Sequence, residues 1–208
     1  CLLARACHAA LDSRAAQVAV VTGAYADEME PLLEELCDRF EESRQCIVGI
    51  GPADSAAAPA PRLVELRNDA WSQGQAASVR LAAQHARALD FDAVIFMAAD
   101  QPFVKAEHLD ALIAAFENMR AAEAAGAAAT PCALRSHCGT RQGNPCLFPR
   151  ETLPLFETLT GDEGARQLFR SGALVAVPAD IPPVPGHDVF CDLDTPEEFE
   201  QFKAARNI

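Results

Sequence analysis

The sequence predicts an α/β domain in three layers, a Rossmann-like fold with a mainly parallel mixed sheet between two layers of helices. Three observations predict it. Short β-branched or apolar runs alternate with stretches of helical periodicity along most of the chain. Half of the 208 residues are apolar, enough for one domain to bury most of its unfolded surface. No internal repeat interrupts the alternation, and successive parallel strands need helical crossovers of this length.

The elements follow in order. Leu2, Leu3, Ala6, Ala10 and Leu11 recur at helical spacing, so the chain opens on a helix. The β-branched run 18–22, ended by Gly23, reads as a buried strand. Met29, Leu32, Leu33, Leu36 and Phe40 mark one face of a helix. Residues 46–50 read as a second strand, and the small, Pro-rich stretch 51–61 as a mobile loop within the domain. A short strand at 63–66 is followed by a helix marked by Val79, Ala82, Ala83, Ala86 and Leu89. The run 93–98 is the strongest buried strand, and Leu109, Leu112, Ile113 and Phe116 mark the next helix. Later strands are expected at 127–134, 145–148 and 173–177, with a helix between Gly164 and Ser171. Thr195-Pro196-Glu197-Glu198 opens the last helix, with a capping hydroxyl, Pro at the first helical position and Glu at the capping-box position.

Composition narrows the partners. Thirty acidic against 17 basic residues give a formal charge of −13, which repels phosphate backbones and anionic lipid. No apolar run approaches the roughly 20 residues of a membrane helix, and no signal-peptide pattern is visible. A cytoplasmic protein with neither nucleic-acid nor membrane partners is expected. The eight cysteines include no C-x-x-C pair, and Cys132, Cys138 and Cys146 with His137 lack the paired spacing of zinc sites. Reduced, structural thiols are therefore expected.

Ligands of such folds bind beyond the carboxyl ends of the strands, so the residues placed there matter most. The run 93–98 delivers Asp100 at its end, and Pro102 turns the chain at once. A carboxylate there suits Mg²⁺, which binds through one or two carboxylates plus substrate phosphates; the alternative is an Asp capping the helix that starts near Lys105. Asp192 and Asp194 precede the last helix, where they either complete a metal site with Asp100 or serve only the helix dipole. Asn68 through Arg80 carries the only Trp, then Gly74 and Ser78 leading into a helix, an arrangement that can receive an anion or a base edge. Gly161 through Arg166 is an acidic turn before a helix. No P-loop, G-x-G-x-x-G, H-E-x-x-H or G-x-S-x-G pattern occurs, and the five histidines show no partner pattern.

Taken in order, N-x-x-W-x-x-G-x-x-x-S-x-R, A-D-Q-P after a buried strand, Q-G-N-P-C-L-F, G-D-E-G-A-R and D-L-D-T-P-E-E resemble the MobA-like nucleotidyltransferases. Within them the chain is most similar to the molybdenum cofactor cytidylyltransferases, which join CMP from CTP to molybdopterin. The match spans roughly residues 68 to 200. The resemblance implies a nucleotide-diphospho-sugar transferase-like fold, a Mg²⁺ cofactor, and CTP and molybdopterin as substrates. It makes Asp100 the principal Mg²⁺ ligand, with Asp192 or Asp194 as the second acid. It places Gly74, Ser78 and Arg80 near the nucleotide, Gly143 and Asn144 at a substrate-facing segment, and Asp162, Gly164 and Arg166 on the pterin side. Asn144 stands where relatives often carry His, which removes a proton carrier and leaves a hydrogen-bonding group. A molybdoenzyme-specific chaperone is the partner it suggests.

The resemblance also implies a departure. The family opens with a strand and a glycine-rich loop, L-A-A-G-x-S-x-R-M-G, that holds the triphosphate, and this sequence starts at the helix that follows. The implied chemistry is attack by a terminal phosphate oxygen of molybdopterin on the α-phosphorus of CTP. The nucleophile is already ionised and needs no strong base. Arg80, Arg141 and Arg166 are expected to offset the acidic surface. Guanylyl transfer on the same fold, nucleotidyl transfer to a sugar phosphate, and a non-catalytic module that hands the cofactor on are the competing readings.

Overall fold

The computed structural model describes residues 1–44, 62–126 and 131–206. The strand expected at 46–50, the loop at 51–61 and the start of the strand at 127–134 lie outside these residues. Six α-helices and six strands are described: α1 (Leu2–Leu11), β1 (Val18–Thr22), α2 (Ala26–Arg44), β2 (Leu63–Arg67), α3 (Gln75–Ala88), β3 (Ala93–Phe96), α4 (Ala106–Ala124), β4 (Cys132–Cys138), β5 (Arg141–Pro149), α5 (Arg166–Arg170), β6 (Val175–Asp180) and α6 (Pro196–Arg206). A 3-10 turn (Trp71–Gln73) precedes α3, and a longer 3-10 helix (Arg150–Thr158) follows β5.

The strands form two sheets. β1 pairs with β2 in parallel, Val18 opposite Leu63 through Thr22 opposite Arg67. The second sheet has the order β3-β5-β4-β6, with β5 antiparallel to both neighbours and β4 parallel to β6. This is the expected α/β class with a mixed sheet. Its antiparallel pairs come from the hairpin of β4 and β5, whose Gly139-Thr140 connection is a two-residue turn.

The runs at 18–22 and 93–98, expected to be buried, are only half-buried. Among the described strands each lies at the edge of its sheet, and both line one cavity of about 720 Å³. Helices α1, α3 and α4 supply the rest of its wall, with Ala6, Val79, Ala82, Leu109 and Ile113 among the lining side chains.

Helix α3 fixes how the two sheets are aligned. Its carboxyl end lies at the start of β1, where the His85 ring meets Gln17 (Nε2 to Oε1, 2.8 Å). The same end lies at the approach to β3, where the Phe91 N–H donates to Ala86 (3.1 Å). Its amino end lies beside the end of β1, joined through Asn68, which bonds both Thr22 and Ser78. β1 and β3 therefore run the same way, and their carboxyl ends share one rim.

Three apolar clusters hold the elements. Cys7, Leu11, Leu33, Leu36 and Leu63 join α1 and α2 to β2. Leu109, Leu112, Leu134, Leu147 and Ile181 seat α4 on the second sheet. Phe148, Phe156 and Leu168 fill its other face with α3, the long 3-10 helix and α5, so that sheet lies between helical layers. The capping box of α6 forms as the sequence predicts: the Glu198 N–H donates to Thr195 Oγ1 (3.2 Å), and Glu198 Oε2 accepts from the Thr195 N–H (3.0 Å). All seven described cysteines are free thiols. Among the described residues no helix is long and apolar enough to cross a membrane.

Candidate active site

Asp100 lies four residues past the end of β3. It does not cap α4; the His108 ring does, accepting from the Lys105 N–H through Nδ1 (2.9 Å). Antiparallel pairing sets Phe96 opposite Cys146, so Gly143, Asn144 and Pro145 lie beyond the strand end beside the approach to Asp100. The Asn144–Pro145 peptide is cis.

The segment carrying the other two acids folds onto the same place. The Leu193 N–H donates to the Asp100 carbonyl (3.0 Å), and the buried Gln101 donates through Nε2 to Asp192 Oδ1 (2.9 Å). Phe190 wedges the segment in position against Gly143: a methyl group there would sit 2.6 Å from Cδ1 of the Phe190 ring. Arg141 pairs with Asp188 and lies over the Phe190 ring. Asp194 is exposed, and its N–H is held by Glu198 Oε2 (2.9 Å).

The result is an anion short of partners. Asp100 Oδ1 is buried with no hydrogen-bond partner among the described groups, as is Gln101 Oε1. Burial, and then the negative charges of Asp192 and Asp194, push the Asp100 carboxyl above its ordinary range. Such an oxygen fits a cation. No group of three or more His, Cys, Asp and Glu side chains among the described residues could hold a metal ion on its own. That is the situation of Mg²⁺, which takes one or two carboxylates and completes its shell with water and substrate phosphates.

The glycine motifs meet on the amino end of α3. Gly74 has φ +99°, and a Cβ there would overlap the Gly161 carbonyl and lie 2.7 Å from Asp162 Oδ1. The Ala76 N–H donates to that carbonyl (2.9 Å), and a methyl group at Gly164 would press on Gln75 Oε1 at 2.7 Å. Gly74 is thus needed where two backbones touch. Ser78 Oγ accepts from Asn68 Nδ2 (2.9 Å), and Arg80 Nη1 donates to the Leu159 carbonyl (2.7 Å), tying down the acidic turn. Asn144 Oδ1 accepts from the Cys146 thiol (3.5 Å), and Asp162 is exposed. Of the three arginines expected to offset the acidic surface, Arg141 is neutralised by Asp188 and Arg80 is spent on a carbonyl. Arg166 is exposed, with no carboxylate partner among the described residues.

The roles of Asn68, Gln101 and Phe190 do not show in the sequence, though the first two stand in its motifs. Asn and Gln beside a strand end read as turn residues, and the partner that gives each its role lies 10 to 91 positions away. The β4–β5 hairpin extends past the apolar residues at both strand ends, so its polar halves around Gly139-Thr140 carry no strand signal in the sequence.

Comparison with known proteins decides the family. The MobA-like NTP transferase domain matches residues 24–179. The chain belongs to this family. It is 31% identical over 133 residues to the purine catabolism protein PucB of Bacillus subtilis, an alignment covering 64% of the chain and 58% of that relative's length. Solved structures share the fold. Rv0371C of Mycobacterium tuberculosis, in complex with manganese, superposes with a TM-score of 0.57 at 18% identity, covering 96% of this chain and 84% of that one. A cytidylyltransferase from Leptospira borgpetersenii gives 0.56 at 12% identity, covering 99% and 75%. The chain thus carries a MobA-like NTP transferase domain on an α/β fold.

Proposed function

We propose that this nucleotidyltransferase transfers CMP from CTP to molybdopterin, in the cytoplasm, with release of pyrophosphate. The observation that carries the reading is the buried Oδ1 of Asp100, without a hydrogen-bond partner among the described residues, near the Asp192 held by Gln101 at the carboxyl end of β3. A Mg²⁺ ion bound there would neutralise charge on the α-phosphate oxygens. Asp100 and Asp192 hold the cation, and Gln101 fixes the orientation of Asp192. An ionised phosphate oxygen of molybdopterin forms the new bond to the α-phosphorus as the bond to the β-phosphate oxygen breaks, and pyrophosphate carries off the charge. No side chain has to remove a proton, consistent with scattered histidines.

The order of the rim suggests how substrates lie. Gly74 and Ser78 border the nucleotide, while Asp162, Gly164 and Arg166 face the pterin, with Arg166 offering an unpaired guanidinium to an anion. Manganese bound to Rv0371C and the cytidylyltransferase name of the Leptospira protein support a divalent ion and CTP as substrate. The product passes to a molybdoenzyme-specific chaperone.

The test is pyrophosphate release by the full chain with molybdopterin and Mg²⁺, for CTP, GTP and ATP. CTP should rank first, and Asp100→Asn should lower turnover about a thousandfold, near 4 kcal/mol of barrier. A clear preference for GTP overturns the cytidylyl assignment. A variant that keeps more than about a tenth of turnover, under 1.4 kcal/mol, overturns the metal assignment.

A further inference from the structure

Trp71, the only tryptophan in the chain, stands on the same rim with half its surface, 51%, in solvent. An indole exposed to that extent presents a broad planar face to whatever binds at the rim. Its backbone is held on every side. The Trp71 N–H donates to the Asn68 carbonyl (3.2 Å), and the Trp71 carbonyl accepts from the Gly74 N–H (3.2 Å). Asn68 is 5% exposed and anchored in turn. Its N–H donates to Thr22 (2.9 Å), its Oδ1 accepts from the Ala70 N–H (3.0 Å), and its Nδ2 donates to Ser78 (2.9 Å). The root of the indole presses on the chain leaving β1: a methyl group at Gly23 would lie 2.8 Å from Trp71 Cβ and 3.9 Å from Cδ1. Tyr25, two residues further on, is 66% exposed. A turn fully committed in its hydrogen bonds therefore fixes an aromatic ring outward, beside Gly74 and Ser78 and on the rim shared with Asp100.

We propose that Trp71 is a stacking platform for the planar heteroaromatic ring of a substrate, the nucleobase or the pterin. The inference rests on the nucleotidyl-transfer reading and adds a ring-recognition residue to it. Stacking needs a face and no hydrogen bond, so the platform would add affinity without selecting one base over another. Selection among bases falls to the backbone and polar groups around Gly74 and Ser78.

One indole N–H cross-peak makes the test direct. The full chain, with Mg²⁺ present, is titrated with CTP, with unsubstituted pterin and with inorganic triphosphate, following the Trp71 Nε1–H resonance. Binding of CTP and of triphosphate is followed separately by their ³¹P shifts. CTP or pterin should move the indole resonance, and triphosphate should not; whichever ring moves it is the one stacked. Trp71→Leu should weaken binding of that ring about tenfold or more and raise its KM with little change in kcat. Trp71→Phe should recover most of the affinity, and triphosphate binding should be the same in all three proteins. If CTP binds by ³¹P while neither ring moves the indole, or if Trp71→Leu binds both rings as tightly as the parent, the platform is wrong and the transfer reading stands. If CTP and triphosphate both leave the ³¹P spectrum unchanged, the two fall together.

Discussion

The turn after β2 and the turn after β3 each carry a polar side chain past a strand's carboxyl end, the buried Asn68 in one and the half-buried Asp100, its Oδ1 out of solvent, in the other. Asn68 has a partner for its N–H, its carbonyl, Oδ1 and Nδ2. Asp100 gives its carbonyl to Leu193 and leaves Oδ1 buried without a partner, two charged carboxylates nearby. Buried polar groups in folded proteins are nearly always satisfied, so the first turn is what folding alone would produce. The second is costly for folding and makes sense as the holding place of a cation. The difference teaches where to look for chemistry on this rim: at the motif that is incompletely satisfied, with the complete one supporting it.

The largest structural effect should come from disturbing the complete turn. Gly74→Ala puts a Cβ into the Gly161 carbonyl at a φ of +99°, at the amino end of α3 where the Ala76 N–H also donates to that carbonyl. Overlap and strain together should cost about 3 kcal/mol or more, and thermal melting should fall by roughly 6–12 °C at about 2–4 °C per kcal/mol. A melting temperature within a degree or two of the parent would mean that the Asn68 turn does not depend on the contact of Gly74 with Gly161, and the contrast with Asp100 would lose its satisfied side.

Much of this was legible in the sequence, and the failures have physical causes. Asp100 could be placed because an apolar run followed by Pro102 leaves one geometry for the residue between. The capping box at Thr195 and Glu198 could be read because its partners are three residues apart. The burial of 18–22 and 93–98 was misread because apolar content reports what a strand would bury, and both of these face a cavity between two sheets. The placement of Asp192, held by Gln101 beside the Asp100 turn, had to wait for the fold. It depends on Phe190 seated against Gly143 and on Gln101 reaching across 91 positions, and neither contact leaves a periodic trace.

Asn68→Ala is a gentler version of the same break. It strands the hydroxyl of Ser78 and the N–H of Ala70, and should destabilise the fold by about 1–3 kcal/mol, read by urea denaturation. The Asp100 side of the rim should be untouched, so the melting shift produced by Mg²⁺ should match that of the parent. Loss of that shift would show the two turns to be one unit.

The smallest effect separates the two turns by sign. The Asp100 carboxyl is raised by burial first and by Asp192 second, so its favourable contribution is fully present below the ordinary carboxylate value, about 3.9, and is lost as pH rises through the raised one. At pH 7 the ionised group opposes folding. Asp100→Asn keeps the shape and removes that charge, so the variant should melt a little higher than the parent at pH 7, and the gap should close as pH falls towards about 4. Mg²⁺ should reverse the order, because a ligand that binds only the folded parent stabilises it and leaves the variant where it was. Losing a structural partner such as Asn68 lowers melting at both pH values. An Asp100→Asn variant that melted below the parent at pH 7 without metal would show that this carboxylate, like Asn68, is satisfied after all, and the contrast on which the metal assignment rests would be gone.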